Sequence, residues 1–355
     1  MHDFSLELRL DSPLLLGGPE SGEVDSSHML SCLPVRGLFR TFTRALVGPF
    51  LDQNWSRIRD AENRLLGSPA SDAGGAGTYR VQDSTEDELT PIRSFPNVPG
   101  RNNPDVPGMY KGVRKGYDHA SGGSPQRRQV TIRSRPEAVR KGRLFVEMLR
   151  TVAWTSFAFG SLGGRARRGY GSLTVEGVTG IPGDDLLPVF GSDLTRDQLA
   201  SRLREGLKRA REMAREWLQA NALDPGEPVG PPATLFQLFG DQFVFVGQQQ
   251  QLSSEQLMTH LMSAASHQKH HNDSIYKQFI GSGDPRLASP LWVRLYQAQH
   301  QAQQGILAVC TLSPLHDSSN PEATAIVGAL LGSLLPENAP PVGDCFLDKL
   351  SVDAQ

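Results

Sequence analysis

Phe4, Leu6, Leu8 and Leu10 alternate with polar residues, and the apolar character continues through Leu14, Leu15 and Leu16 to Gly17 and Gly18. Alternation is the period of a strand with one buried face, so this segment predicts the first strand. Beyond a polar connection the period changes. Leu38, Phe42 and Leu46 recur at helical spacing, with Arg36, Arg40 and Arg44 on a second line of the same helix. Further helices are predicted over 55–66 and 142–159, the latter with Leu144, Phe145, Met148, Leu149, Val152, Ala153 and Phe157 on a broad apolar face. Leu173, Thr174 and Val175 read as a strand. Between 67 and 140 the chain is rich in Gly, Pro, Ser and Arg, which predicts mostly loop, with 129–132 as the best strand candidate.

Past Gly183 the character shifts. Thr195 with Gln198 forms a capping-box pattern, opening a helix that carries Leu199, Leu203, Leu207, Ala210, Ala214 and Trp217 on one side. Pro225, Pro228, Pro231 and Pro232 enforce a loop. Strands are expected within 236–246, 291–296 and 306–312, and helices from Ser253 and over 323–335. The stretch 190–280 carries no familiar motif. The N-terminal order of strand, helix, strand, helix, glycine-rich loop and strand fits a split βαβ, ferredoxin-like unit. The expected fold class is α+β, with an N-terminal domain over 1–182, carrying a basic insertion at 67–140, and a mixed α/β domain over 183–355.

An apolar fraction of 38% over 355 residues is enough for real cores. Three cysteines without a C-x-x-C spacing argue against a disulfide framework or a thiolate zinc site and fit a reducing compartment. The N-terminus lacks a basic segment before a long apolar run, and the apolar stretch 324–335 is too short to span a bilayer. The expectation is a cytoplasmic chain with no membrane partner. Net charge is only −2, but its distribution is uneven: residues 101–168 hold 15 Lys and Arg against 4 Asp and Glu. Such asymmetry marks a polyanion-binding strip.

That strip closes on the run Gly-Gly-Arg-Ala-Arg-Arg-Gly-Tyr-Gly at 163–171. Glycines let backbone N–H groups come close to a ligand, and Arg165, Arg167 and Arg168 supply guanidinium forks that suit phosphate. The run has neither the GK[ST] of a P-loop nor a dinucleotide fingerprint, which argues against ATP or NAD. Arg168-Gly169-Tyr170-Gly171 satisfies the first half of an RNA-recognition consensus, without its later aromatics. His267, His270 and His271 lack carboxylate or cysteine partners at a metal spacing and read as a solvated helix end, so no metal site is expected. Asp25 and His28, between the first strand and first helix, are candidate catalytic groups. Either could act on a 2′-hydroxyl, although ordinary loop polarity also accounts for both.

Four stretches together resemble the RAMP superfamily of CRISPR proteins: 12–18 (SPLLLGG), 33–46 (LPVRGLFRTFTRAL), 160–173 (GSLGGRARRGYGSL) and 286–295 (RLASPLWVRL). Within it the pattern is most similar to the first-numbered subunits of Cmr, type III-B, effector complexes. The resemblance implies two ferredoxin-like (RRM-like) domains with a glycine-rich loop and added helices. It implies contacts with guide RNA, target RNA and neighbouring subunits in antiviral defence. By motif it assigns RNA binding to Arg36 and Arg40 and to Gly163, Gly164, Arg165, Arg167, Arg168, Gly169, Tyr170 and Gly171. No cofactor is implied for a non-catalytic subunit. In the alternative the chain is an endoribonuclease: Asp25, with a divalent metal, would cleave target RNA, or His28 would cleave guide precursor.

Overall fold

The computed structural model describes residues 3–16, 30, 32–52, 54–68, 77–85, 92–95, 114–118, 120–121, 124–136, 142–164, 166, 169–180, 187–191, 194, 196–226, 243–246, 282–283, 286–287, 292–300, 303–311 and 347–349. It is a mixed fold of helices and antiparallel sheet. The elements run β1 (Phe4–Leu10), α1 (Cys32–Val47), α2 (Trp55–Leu66), β2 (Tyr79–Asp83), β3 (Ile92–Phe95), β4 (Arg114–Tyr117), β5 (Ala120–Ser121), β6 (Ser124–Pro125), β7 (Arg127–Ser134), α3 (Arg143–Phe159), β8 (Leu173–Thr179) and α4 (Arg196–Ala220). The remaining strands are β9 (Phe243–Val246), β10 (Ser282–Gly283), β11 (Arg286–Leu287), β12 (Trp292–His300), β13 (Gln303–Thr311) and β14 (Leu347–Lys349).

The first sheet has the order β2-β7-β1-β8, with every neighbour antiparallel. Its register follows from the alternation in β1. Phe4 sits opposite Ile132, Leu6 opposite both Val130 and Val178, and Leu8 opposite Val175, so the apolar positions of three strands share one buried face. A slip by one residue would turn that whole set to the other side. Helices α1 and α3 pack together and share a core with this face through Leu38, Phe42, Met148, Val152 and Phe157.

Helix α2 matches the sequence expectation, and its start is explained by Asn54, whose Oδ1 accepts the backbone N–H groups of Ser56 at 3.0 Å and Arg57 at 3.2 Å. One carboxylate ties α2 to α1. Glu62, only 2% exposed, receives the guanidinium groups of Arg40 and Arg44, and Arg40 also donates to the carbonyl of Gly67 at 2.8 Å.

One feature differs from the sequence reading. The stretch 67–140, expected as mostly loop, contributes β2 to the edge of the first sheet and two short ladders, β3 with β4 and β5 with β6. Only Tyr79 and Val81 give β2 an apolar signal, so its pairing with β7 rather than its own pattern defines it. Helix α4 sets Leu199, Leu203, Leu207, Ala210, Ala214 and Trp217 into the core that also holds the N-terminal elements. Gly206 leaves the room that the indole of Trp154 occupies.

The second sheet has the order β12-β13-β9-β14, again antiparallel throughout. It confirms the strand pair expected near 291–312. The helices expected from Ser253 and over 323–335 lie outside the described residues. Among the described residues no helix is long and apolar enough to cross a membrane.

Replacing Glu62 by Ala removes the buried anchor that α1 and α2 share. The expected outcome is a loss of about 1–3 kcal/mol, read as a lower urea midpoint with an unchanged denaturant slope. An unchanged midpoint would show that this ion-pair cluster contributes nothing to the packing of the two helices.

Candidate nucleic-acid interface

Two chain segments meet where β1 ends. The first, residues 11–16, leaves the sheet but remains paired. Leu14 exchanges backbone hydrogen bonds with Tyr117, both at 2.9 Å, which fixes one side of the segment. Its other side meets the glycine-rich loop. The N–H of Gly164 donates to the Leu15 carbonyl at 2.6 Å, and that of Gly171 donates to the Pro13 carbonyl at 2.8 Å. Ser12 Oγ donates to the Gly169 carbonyl at 2.5 Å and accepts the N–H of Ser172 at 3.0 Å.

This packing gives the glycines a physical reason. Gly163 has φ +83° and Gly171 φ +68°, both in the left-handed region that side chains disfavour. A Cβ on Gly163 would run into the carbonyl oxygen of Leu15, and one on Gly171 into that of Leu162. The sequence alone suggests glycines that present N–H groups to phosphate. In the structure the N–H groups of Gly164 and Gly171 are bonded to this chain's own carbonyls, and the close approach is to residues 13–15.

Beneath the loop lies a buried polar chain. Asp11, with no exposed surface, receives Arg9 Nε on Oδ1 at 2.8 Å and the Thr174 hydroxyl on Oδ2. The second arm of Arg9 reaches Glu176 at 2.8 Å, and Glu176 also receives Arg127 at 2.6 Å. Arg294, from β12, completes the set. Its Nη2 donates to Thr174 Oγ1 at 2.9 Å and to the Leu173 carbonyl at 2.7 Å, while Nη1 reaches the Gly160 carbonyl at 3.4 Å. One guanidinium therefore bonds the residues on both sides of the glycine loop. Its neighbours on β12 add to this: the N–H of Leu295 donates to Ser172 Oγ at 3.0 Å, and the Tyr296 hydroxyl donates to the Ala158 carbonyl.

The charges balance through partners. Burial alone would lower the pKa of Arg9, but Asp11 and Glu176 outweigh it and the net shift is upward. Arg294 is shifted downward: desolvation dominates, and the opposing effects of Tyr296 and Asp11 offset it only in part. Its Nε has no hydrogen-bond partner among the described residues, and its guanidinium carbon lies 4.0 Å from the Tyr296 ring centroid. Burial pushes the Tyr296 hydroxyl upward, which keeps it a donor.

The expected site residues divide into three groups. Gly163, Gly164, Gly169, Tyr170 and Gly171 come together in the loop stem. Tyr170 is buried, so its ring is a packing anchor and offers no open face for a base. Arg36 and Arg40 are turned elsewhere: Arg36 donates to the Tyr79 carbonyl at 3.5 Å and lies over the Tyr79 ring, while Arg40 is held by Glu62 and Gly67. No hydrogen bond or ion pair joins either of them to the loop among the described residues. Arg165, Arg167, Arg168, Asp25 and His28, with His267, His270 and His271, lie outside the described residues. Among the described residues no group of three His, Cys, Asp or Glu could hold a metal ion.

Sequence reasoning did not single out Asp11, Arg9, Ser12 or Arg294. A signal was present: Arg9 and Asp11 lie two apart on the polar face of a strand that runs directly into apolar residues, where charged groups require partners.

The RAMP superfamily model matches residues 7–174, which take in β1, the 11–16 segment and the whole glycine loop. That stretch is similar to the RAMP superfamily. A comparison with curated protein sequences finds no match. Among solved structures, apo Cmr1 from Pyrococcus furiosus superposes with a TM-score of 0.56 at 14% identity, covering 99% of this chain and 99% of that one. A chain of the type III-B Cmr-beta complex bound to cognate target RNA gives 0.56 at 12% identity, covering 94% and 99%. In a second state of that complex, with target RNA, AMPPnP and ssDNA present, the score is 0.54 at 12% identity, covering 93% and 98%. At these identities the likeness is one of fold.

Replacing Asp11 by Asn keeps the shape but removes the negative charge between two buried guanidinium groups. The expected loss of stability is about 3–5 kcal/mol, measured by chemical denaturation. A variant as stable as the parent would contradict the role assigned to Asp11.

Proposed function

We propose that this chain is a non-catalytic RNA-binding subunit of a type III CRISPR effector complex, holding guide RNA or the guide–target duplex near one end and contacting neighbouring subunits. The observation that carries this reading is the pinned stem of the glycine loop. Gly164 is bonded to Leu15 and Gly169 to Ser12, and the sequence places Arg165, Arg167 and Arg168 between those two fixed points. Guanidinium groups on a stem held at both ends give up less conformational freedom on meeting phosphate than the same groups on a free loop.

Two further observations support the reading. The basic excess of residues 101–168 leads into this loop, and the fold is shared with a chain in Cmr-beta structures that contain cognate target RNA. The N-terminal order of elements and the sheet order β2-β7-β1-β8 also support a ferredoxin-like unit, and we extend that reading to the C-terminal half. The proposed role requires neither cofactor nor metal. Cleavage through Asp25 or His28 has no observation behind it among the described residues.

The test is the double substitution Arg167→Ala with Arg168→Ala, titrated with single-stranded RNA at several salt concentrations. Affinity is expected to fall with stability unchanged, and the log–log salt slope to flatten by about 0.7 for each phosphate that the variant no longer neutralises. Equal affinity and slope in parent and variant would refute the loop as the RNA-binding element.

A further inference from the structure

Trp55 stands apart from Trp154 and Trp217. Trp154 and Trp217 are buried, whereas Trp55 is 49% exposed and is the exposed large hydrophobic residue among those described. It opens α2 immediately after the Asn54 cap, so its backbone is fixed. The Arg44 guanidinium lies 5.1 Å from its ring centroid, and Arg44 is itself oriented by the buried Glu62, with a second bond at 3.2 Å. The indole is therefore an exposed plane braced from α1.

The surrounding charge is positive. Asp52 pairs with Arg57 at 3.3 Å and Asp60 with Arg64 at 2.8 Å, while Glu62 is shared by Arg40 and Arg44. One of those two arginines is left uncompensated, and Arg59 is exposed and forms no ion pair among the described residues. Arg59 lies one helical turn from Trp55 and on the same side of α2.

We propose that Trp55 and Arg59 form a second binding point for single-stranded RNA, with a nucleobase stacked on the exposed indole and a neighbouring phosphate at Arg59. This rests on the RNA-binding reading above and adds a base-stacking surface that the buried Tyr170 does not offer. Aromatic planes flanked by cations hold single strands by stacking and phosphate attraction together. The cations beside the indole suit a phosphate-bearing strand, with Arg44 against the ring and Arg59 one turn along α2.

The test uses the full chain with oligouridine and with an abasic oligomer of equal length, followed by fluorescence anisotropy. Trp55→Ala is expected to weaken oligouridine binding about tenfold and leave the abasic oligomer unaffected, with most affinity restored in Trp55→Phe. Parent-like oligouridine binding by Trp55→Ala would overturn the proposal, as would an equal weakening on both oligomers. Retained RNA affinity without association to the other effector subunits would also overturn it and make the patch a protein-binding surface. If Arg167→Ala with Arg168→Ala abolishes binding while Trp55→Ala changes nothing, the loop reading survives and this one falls. A parent chain that binds neither oligomer sinks both.

Discussion

A carboxylate without solvent access must be satisfied by its neighbours, and Asp11 is satisfied from two directions at once. Arg9 on its own strand takes one oxygen, and Thr174 takes the other while receiving Arg294 from the C-terminal sheet. The end of β1, the strand after the glycine loop and a strand more than a hundred residues later are thereby held in one arrangement. Removing Arg9 would leave the buried Asp11 carboxylate with a hydroxyl alone as its partner, a larger penalty than the intact cluster's net contribution to stability. Such a cluster specifies geometry more than it adds stability, and the geometry specified is that of the loop stem.

This accounts for the composition of the loop. Its glycines are demanded by close approach to the carbonyls of Leu15 and Leu162. Its serine neighbours, Ser12 and Ser172, satisfy the backbone groups that such a tight crossing leaves over. Packing therefore accounts for the glycines of the stem.

Much of this order was legible in the amino-acid sequence. The period of β1, the apolar faces of α3 and α4 and the bounds of α2 each follow from local pattern and capping, which involve near neighbours only. The glycine loop was legible as a candidate site because its residue types are unusual together. What local pattern does not encode is pairing across the chain. Arg40 and Tyr170 carry the residue types of an RNA-binding surface, yet one is held by Glu62 from another helix and the other is buried under its own loop. Arg294 sits in a stretch recognised by resemblance, but its partners, Gly160, Leu173 and Thr174, are known only once β12 is in place.

The central claim is that the pinned loop is where this chain meets RNA. Photo-crosslinking of the full chain to single-stranded RNA carrying photoreactive nucleotides, with the linked peptides mapped by mass spectrometry, tests it most directly. The account predicts crosslinks in the peptide that spans 160–173. Crosslinks confined to other parts of the chain, with that peptide unmodified, would contradict it.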